Sequence, residues 1–172
     1  MDRSKELKEA ARTLGFDAIG IVEAQAPQGA DHLKDWLKLS YQGEMGWMAR
    51  RPEIRSDPRQ YDSLAKTIIV AGVTSHQTST PSRRGRIAAY AQGLDYHDIL
   101  RDKLERLAQN TLAVWGAHYR ICVDSSPLME KPLAAMAGLG WQGKNTLLIH
   151  SQHGPWLMPV SYTHLRAHET EA

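Results

Sequence analysis

Apolar side chains return every three or four positions at the start of the chain. Leu7, Ala11 and Leu14 stand between charged residues and Gly15 follows, which predicts a surface helix with a glycine stop. Phe16 to Val22 is a short apolar run suited to a buried strand, closed by Pro27 and Gly29. A second helix is predicted from Asp31 through Ser40, with Leu33, Trp36 and Leu37 on its inner face. From Gly43 to Asp62 no period is sustained, so this stretch predicts a long polar connection with a short helix around Trp47 to Arg50. Thr67 to Val73, TIIVAGV, is β-branched and apolar and predicts a central strand.

The segment SHQTSTPSRRGR then reads as a polar loop. Tyr96 to Trp115 carries Ile99, Leu100, Leu104, Leu107 and Leu112 at helical spacing, the longest helix, and Gly116 ends it. His118 to Asp124 predicts a strand, and Leu128 to Ala137 a helix with Pro132 in its first turn. Thr146 to His150 predicts a last strand after a glycine-rich turn. Helices alternating with apolar strands point to an α/β (α+β) sandwich.

A length of 172 residues suits one domain, and 21 Lys and Arg against 19 Asp and Glu leave a net charge of +2, too small to indicate a nucleic-acid binder by itself. Cys122 is the single cysteine, which excludes an intrachain disulfide and a thiolate set for structural zinc or an iron–sulfur cluster. The histidines show no metal spacing, so no metal ligands are expected among the side chains. No apolar run approaches the ~20 residues that cross a bilayer, and the charged N-terminus lacks a signal-peptide core, which together read as cytoplasmic without membrane attachment.

Three segments could carry chemistry. Asp124 falls where a strand ends in the turn VDSSP, a position where a scaffold presents a side chain to a crevice. Desolvated beside a bulky ligand, its carboxyl would have a raised pKa and could donate a proton; the alternative is an N-cap for the following helix. In Gly138-Leu-Gly-Trp-Gln-Gly-Lys-Asn145, closely spaced glycines let backbone approach a ligand, although a plain turn has the same composition and the pattern is neither a Walker loop nor a dinucleotide fingerprint. In RIAAYAQGLDYH, Tyr90 and Tyr96 flank a corner that could line a pocket for a flat ligand, while Asp95 suits the cap of the next helix. Arg50, Arg51, Arg55 and Arg59, with Arg83, Arg84 and Arg86, could contact phosphates or could be solvated loop residues.

The ordered set GEMGWM at 43–48, RIAAYAQGLDYHDILRDKLERLA at 86–108, VDSSPLMEKPLAAMAGLGWQGKNTLLI at 123–149 and GPW at 154–156 resembles the N-terminal domain of the epoxyqueuosine reductases. The resemblance implies a nitroreductase-like sandwich of a mixed sheet with flanking helices, and a cobalamin-binding domain over residues 1–159. It implies that Asp124 is the proton donor over the cobalt, that Gly143, Lys144, Asn145, Thr146 and Leu148 pack against the corrin, and that Trp47 and Tyr90 wall the pocket. It also implies reduction of epoxyqueuosine in the anticodon of tRNA, the last step of queuosine formation, by a monomer drawing on an external electron donor that the sequence does not identify.

Two departures shape the expectation. The family's two [4Fe–4S] clusters need about eight thiolates, which this chain lacks, so they belong to a missing downstream domain and the fragment alone is expected to be inactive. From Val160, VSYTHLRAHETEA no longer follows the family, and residues 160–172 are expected to be a non-native tail on a truncated parent. A non-catalytic corrinoid-binding module and a flavin-dependent, nitroreductase-like oxidoreductase are the alternative functions.

Overall fold

The computed structural model describes residues 2–75, 88, 91, 93–124 and 126–165. Tyr90, Arg83, Arg84 and Arg86 lie outside the described residues. In chain order the elements are α1 (Arg3–Thr13), β1 (Ala18–Glu23), α2 (Ala30–Lys38), a 3-10 turn (Gly46–Ala49), α3 (Pro52–Ser56), α4 (Pro58–Tyr61) and β2 (Ala65–Thr74). There follow α5 (Tyr96–Asn110), β3 (Tyr119–Cys122), α6 (Glu130–Met136), β4 (Trp141–Gln142), β5 (Leu148–Ile149) and β6 (Leu157–Leu165).

Four strands form one sheet in the order β1-β2-β6-β3, and β4 and β5 make a separate hairpin. β2 is an interior strand, as its β-branched run predicts. Its side chains alternate: Ile69 and Ala71 enter the core formed with Leu7, Ala11, Leu100, Leu104 and Leu107, while Ile68 and Val70 enter a second core with Leu133, Ala134, Leu139 and Leu148. The sheet is therefore covered on one face by α1 and α5 and on the other by α6 and the hairpin, which explains why β2 is apolar at consecutive positions. Each fully buried leucine contributes about 1.5–3 kcal/mol.

The structure corrects several sequence readings. Every described pairing in the main sheet is antiparallel, where a mixed sheet was expected: β2 and β3 run in the same direction, but β6 lies between them and opposes both. In α2 only Ala30 is buried; Leu33, Trp36 and Leu37 are half-buried, because Leu33 and Trp36 face an open groove. α5 stops at Asn110, where the Thr111 hydroxyl donates to the Leu107 carbonyl at 2.6 Å, and irregular turns carry buried Leu112 on to Gly116. The strand expected over 146–150 shrinks to β5 because a turn occupies its first positions. Apart from these corrections, β6 pairs along both edges and buries Val160 and Ser161, and residue 159 lies within it.

One close approach fixes how α6 meets the sheet. A Cβ on Gly20 of β1 would collide with the Ala137 carbonyl and the Leu139 side chain just beyond the helix. α6 is thereby seated against the sheet, and its N-terminal end is set beside the end of β3.

Candidate active site

β3 carries buried Cys122 and is followed by buried Val123, and the chain then emerges at Asp124. Asp124 has φ +50, a left-handed backbone that costs a non-glycine residue about 1–2 kcal/mol and persists only where surroundings hold it. Its carboxylate Oδ2 accepts a hydrogen bond from the Tyr96 hydroxyl at 3.2 Å and faces Nε2 of His97 at 3.1 Å.

The start of α5 supplies these partners. Asp95 is the N-cap, accepting the His97 backbone N–H at 2.9 Å, so the capping role read from the sequence holds. The same Oδ1 lies 2.7 Å from His97 Nδ1, and the rings of Tyr96 and His97 stack at 4.0 Å. His97 thus lies between two carboxylates, and both its nitrogens can donate only as the imidazolium. Hydrogen bonding to Asp95 first, and to Asp124 second, raises its pKa above the usual 6.5. The Asp95 carboxyl is held below its ordinary range, chiefly by the His97 backbone N–H.

On the other side of Asp124 stands Glu130, the first residue of α6, whose Oε1 accepts the Asp124 backbone N–H at 3.4 Å. Burial pushes the Glu130 pKa up to about 7, against the opposing pull of that hydrogen bond, with the Asp124 charge adding to the rise and Lys131 reducing it.

One reading of Asp124 is corrected here. It does not cap α6, whose N-cap is Met129 with no side-chain hydrogen bond. The Asp124 side chain is 64% exposed, and the carboxyl whose pKa burial raises is that of Glu130. His97 and Glu130 escaped the sequence reading. A histidine two residues past a capping aspartate was the signal for the first; a lone acid within the apolar run PLMEKPLAAMAGL was the signal for the second.

The glycine-rich segment forms the β4–β5 hairpin, with Trp141 opposite Ile149 and Gln142 opposite Leu148. Gly140 has φ +149, and a Cβ there would strike the Ile149 carbonyl, so this position accepts only glycine without strain. The turn closes through the Gly143 N–H to the Leu147 carbonyl and the Thr146 N–H to the Gly143 carbonyl, both 2.9 Å. The Asn145 Oδ1 accepts the Leu147 N–H at 3.2 Å, so this side chain already serves the turn. Lys144, Asn145 and Thr146 are exposed at the tip, whereas the Leu148 side chain is 2% exposed in the core and leaves only backbone for a ligand.

Trp47 is half exposed on the 3-10 turn, with the Arg55 guanidinium 5.0 Å from its ring centre. Its neighbour Met48 lines a groove of about 350 Å³ with Leu33, Trp36, Met129, Pro132 and Gln142. The Trp47 turn, the start of α6 and the hairpin therefore border one groove, while Asp124 is joined directly to Tyr96, His97 and Glu130. Of the arginines, Arg59 is clamped by Asp57 at 2.8 Å, and Arg50 and Arg51 are exposed. No described helix is long and apolar enough to cross a membrane.

A family model described as "Epoxyqueuosine reductase QueG, DUF1730" matches residues 55–125, a span that includes Asp95, Tyr96, His97 and Asp124. An epoxyqueuosine reductase of Xanthomonas campestris is 35% identical over 164 residues, covering 90% of this chain and 46% of its own length. One of Cyclobacterium marinum is 39% identical over 153 residues, covering 86% and 49%. The chain thus spans about half the length of the curated relatives it matches. The solved epoxyqueuosine reductase of Streptococcus thermophilus superposes with a TM-score of 0.84 at 28% identity, over 100% of this chain and 48% of that one. An epoxyqueuosine reductase solved with an epoxyqueuosine-modified tRNA-Tyr stem loop gives 0.81 at 26% identity, over 94% and 44%. A catabolic reductive dehalogenase, 13% identical with a TM-score of 0.59, shares the fold alone.

Proposed function

We propose, from the similarity of this chain to the epoxyqueuosine reductases, that it forms the cobalamin-holding half of an enzyme that reduces epoxyqueuosine in tRNA to queuosine. The observation that carries this reading is Asp124 at the open end of β3, its carboxylate held by Tyr96 and His97.

The reaction consumes two electrons and two protons: both carbon–oxygen bonds of the epoxide break, a carbon–carbon double bond forms, and the oxygen leaves as water. Bound cobalamin would supply a strongly reducing cobalt centre. This chain's residues move the protons. Asp124 donates to the departing oxygen, and His97, charged between two carboxylates, returns a proton to Asp124 through Nε2. Asp95 keeps the ring oriented and favours its charged form, and Tyr96 fixes the Asp124 carboxylate.

The residues present suit a large flat group. Trp47 and Trp141 leave more than half of their surfaces uncovered, and the groove between the 3-10 turn, α6 and the hairpin is lined mainly by apolar side chains. Lys144, Asn145 and Thr146, exposed at the hairpin tip, offer polar contacts for amide side chains. The two [4Fe–4S] clusters would be carried by the part of the relatives' length that this chain does not span, since the sequence holds a single cysteine, the buried Cys122. Action on tRNA would place the enzyme in the cytoplasm, and exposed Arg50 and Arg51 would be available to contact phosphates.

The test is reconstitution of the full-length enzyme with hydroxocobalamin or with FMN, followed by desalting and absorbance. Retained corrinoid, with Asp124→Ala keeping it but losing about 10²–10⁴-fold in epoxide reduction, is expected. Retention of FMN in place of corrinoid would assign the flavin alternative, and full turnover by Asp124→Ala would remove the proton-donor role.

A further inference from the structure

Asp124 has contacts on two sides with different jobs. Tyr96 and His97 hold its carboxylate, but neither touches its backbone, which carries the strained φ of +50. The backbone N–H points the other way, to Glu130 Oε1 at 3.4 Å. We propose that Glu130 is the positioning residue of Asp124: from the first turn of α6 its carboxylate takes the Asp124 N–H and holds the left-handed backbone that turns the donor carboxyl toward Tyr96 and His97. The proposal rests on the reading of Asp124 as proton donor.

The placement of Glu130 is otherwise hard to account for. An acid in a first helical turn gains from the helix dipole while lying in solvent. Glu130 instead tucks back beneath the turn, at a desolvation cost that brings its pKa to about 7. The charges acting on it are Asp124 across the turn and Lys131 beside it, and His97 lies beyond Asp124. α6 is a firm anchor for such a latch, because Leu133 and Ala134 are fully buried and Gly20 admits the helix end close to β1. Across the turn the Leu128 N–H donates to the Ser126 carbonyl at 2.8 Å, and Met129, the N-cap of α6, makes no side-chain cap.

The experiment compares Glu130→Gln, which keeps an acceptor but cannot ionise, with Glu130→Leu, which removes the acceptor, in the full-length enzyme. In the unmodified enzyme the Asp124 backbone amide proton resonance is expected to titrate with a midpoint near that of Glu130, and in Glu130→Gln this titration disappears. Amide exchange over residues 124–129 rises about tenfold or more in Glu130→Leu and stays near the parent value in Glu130→Gln. kcat falls in Glu130→Leu with KM unchanged and recovers in Glu130→Gln. An Asp124 amide titration that persists in Glu130→Gln belongs to His97 and overturns the proposal, as does parental exchange in Glu130→Leu. If Glu130→Leu does not fold, the comparison of the parent with Glu130→Gln decides alone. Failure of the proton-donor reading is seen separately, as full turnover by Asp124→Ala with the amide titration intact.

Discussion

His97 and Asp124 share a proton position: Nε2 and Oδ2 are 3.1 Å apart, and the opposite ring nitrogen is held at 2.7 Å by Asp95. The contact links the first turn of α5 to the end of β3, brought side by side because α5 packs on the sheet face that carries Tyr119 and Ile121 of β3. A carboxyl that gives up its proton to a leaving oxygen needs a neighbour that can replace it, and an imidazolium kept charged by a second carboxylate is such a neighbour.

His97→Gln retains hydrogen-bonding atoms but cannot store a proton. Epoxide reduction is expected to fall about 10²-fold. The raised pKa of His97 keeps the parent ring charged to higher pH than usual, so parental activity is expected to decline as pH rises through that value. The variant should lose this alkaline limb, and a pH–rate profile identical to the parent's would show that His97 takes no part in proton delivery.

The hairpin gives a test of backbone geometry. Gly140→Ala forces a Cβ into the Ile149 carbonyl at φ +149, and unfolding in urea should show a loss of about 2–4 kcal/mol. Gly138 also has positive φ, +80, but has open space around it, so Gly138→Ala should cost only about 1 kcal/mol. Equal costs would mean that strain in φ, and not the close approach to β5, governs the hairpin.

Much of this arrangement was legible in the residues. The β-branched run of β2 announced an interior strand, and the spacing of Leu100, Leu104 and Leu107 announced the buried face of α5. Asp124 was placed correctly at a strand end, and Asp95 as a cap. Strand direction was not legible, because an apolar run buried on both faces reads the same whichever way its neighbours point. The outward turn of Asp124 was hidden as well, since a left-handed φ at an aspartate leaves no mark on composition. Glu130 and His97 became visible as site residues only when α6 and α5 were set beside the same turn, a juxtaposition with no sequence period.

The arginine-rich connection separates into paired and unpaired members. Arg59 is committed to Asp57 by contacts of 2.8 and 3.0 Å, whereas Arg50 and Arg51 stand exposed after the 3-10 turn. If these two contact the anticodon stem loop, Arg50→Ala and Arg51→Ala each weaken tRNA binding and lower the slope of log K against log salt by about 0.7–0.9. Arg59→Ala should leave that slope unchanged. An unchanged slope in all three variants would place phosphate recognition elsewhere.

The pH dependence of stability follows from Glu130 and His97, and both act in the same direction. The Glu130 pKa is about 7 in the folded chain against an ordinary 4.5, so between these values the folded state binds the additional proton. Its contribution is fully present below pH 4.5 and is lost as pH rises through about 7, amounting to about 3 kcal/mol at most. His97, raised above 6.5 by Asp95 and then Asp124, adds a contribution present below 6.5 that is lost as pH rises through its folded value. The parent's stability should therefore decline from these groups as pH is raised toward and past neutrality. Glu130→Gln removes the Glu130 contribution: its urea midpoint should exceed the parent's above pH 7, with the advantage vanishing near pH 4.5. A variant whose stability keeps the parental pH slope would mean that the Glu130 carboxyl is not held in the desolvated position beneath Asp124.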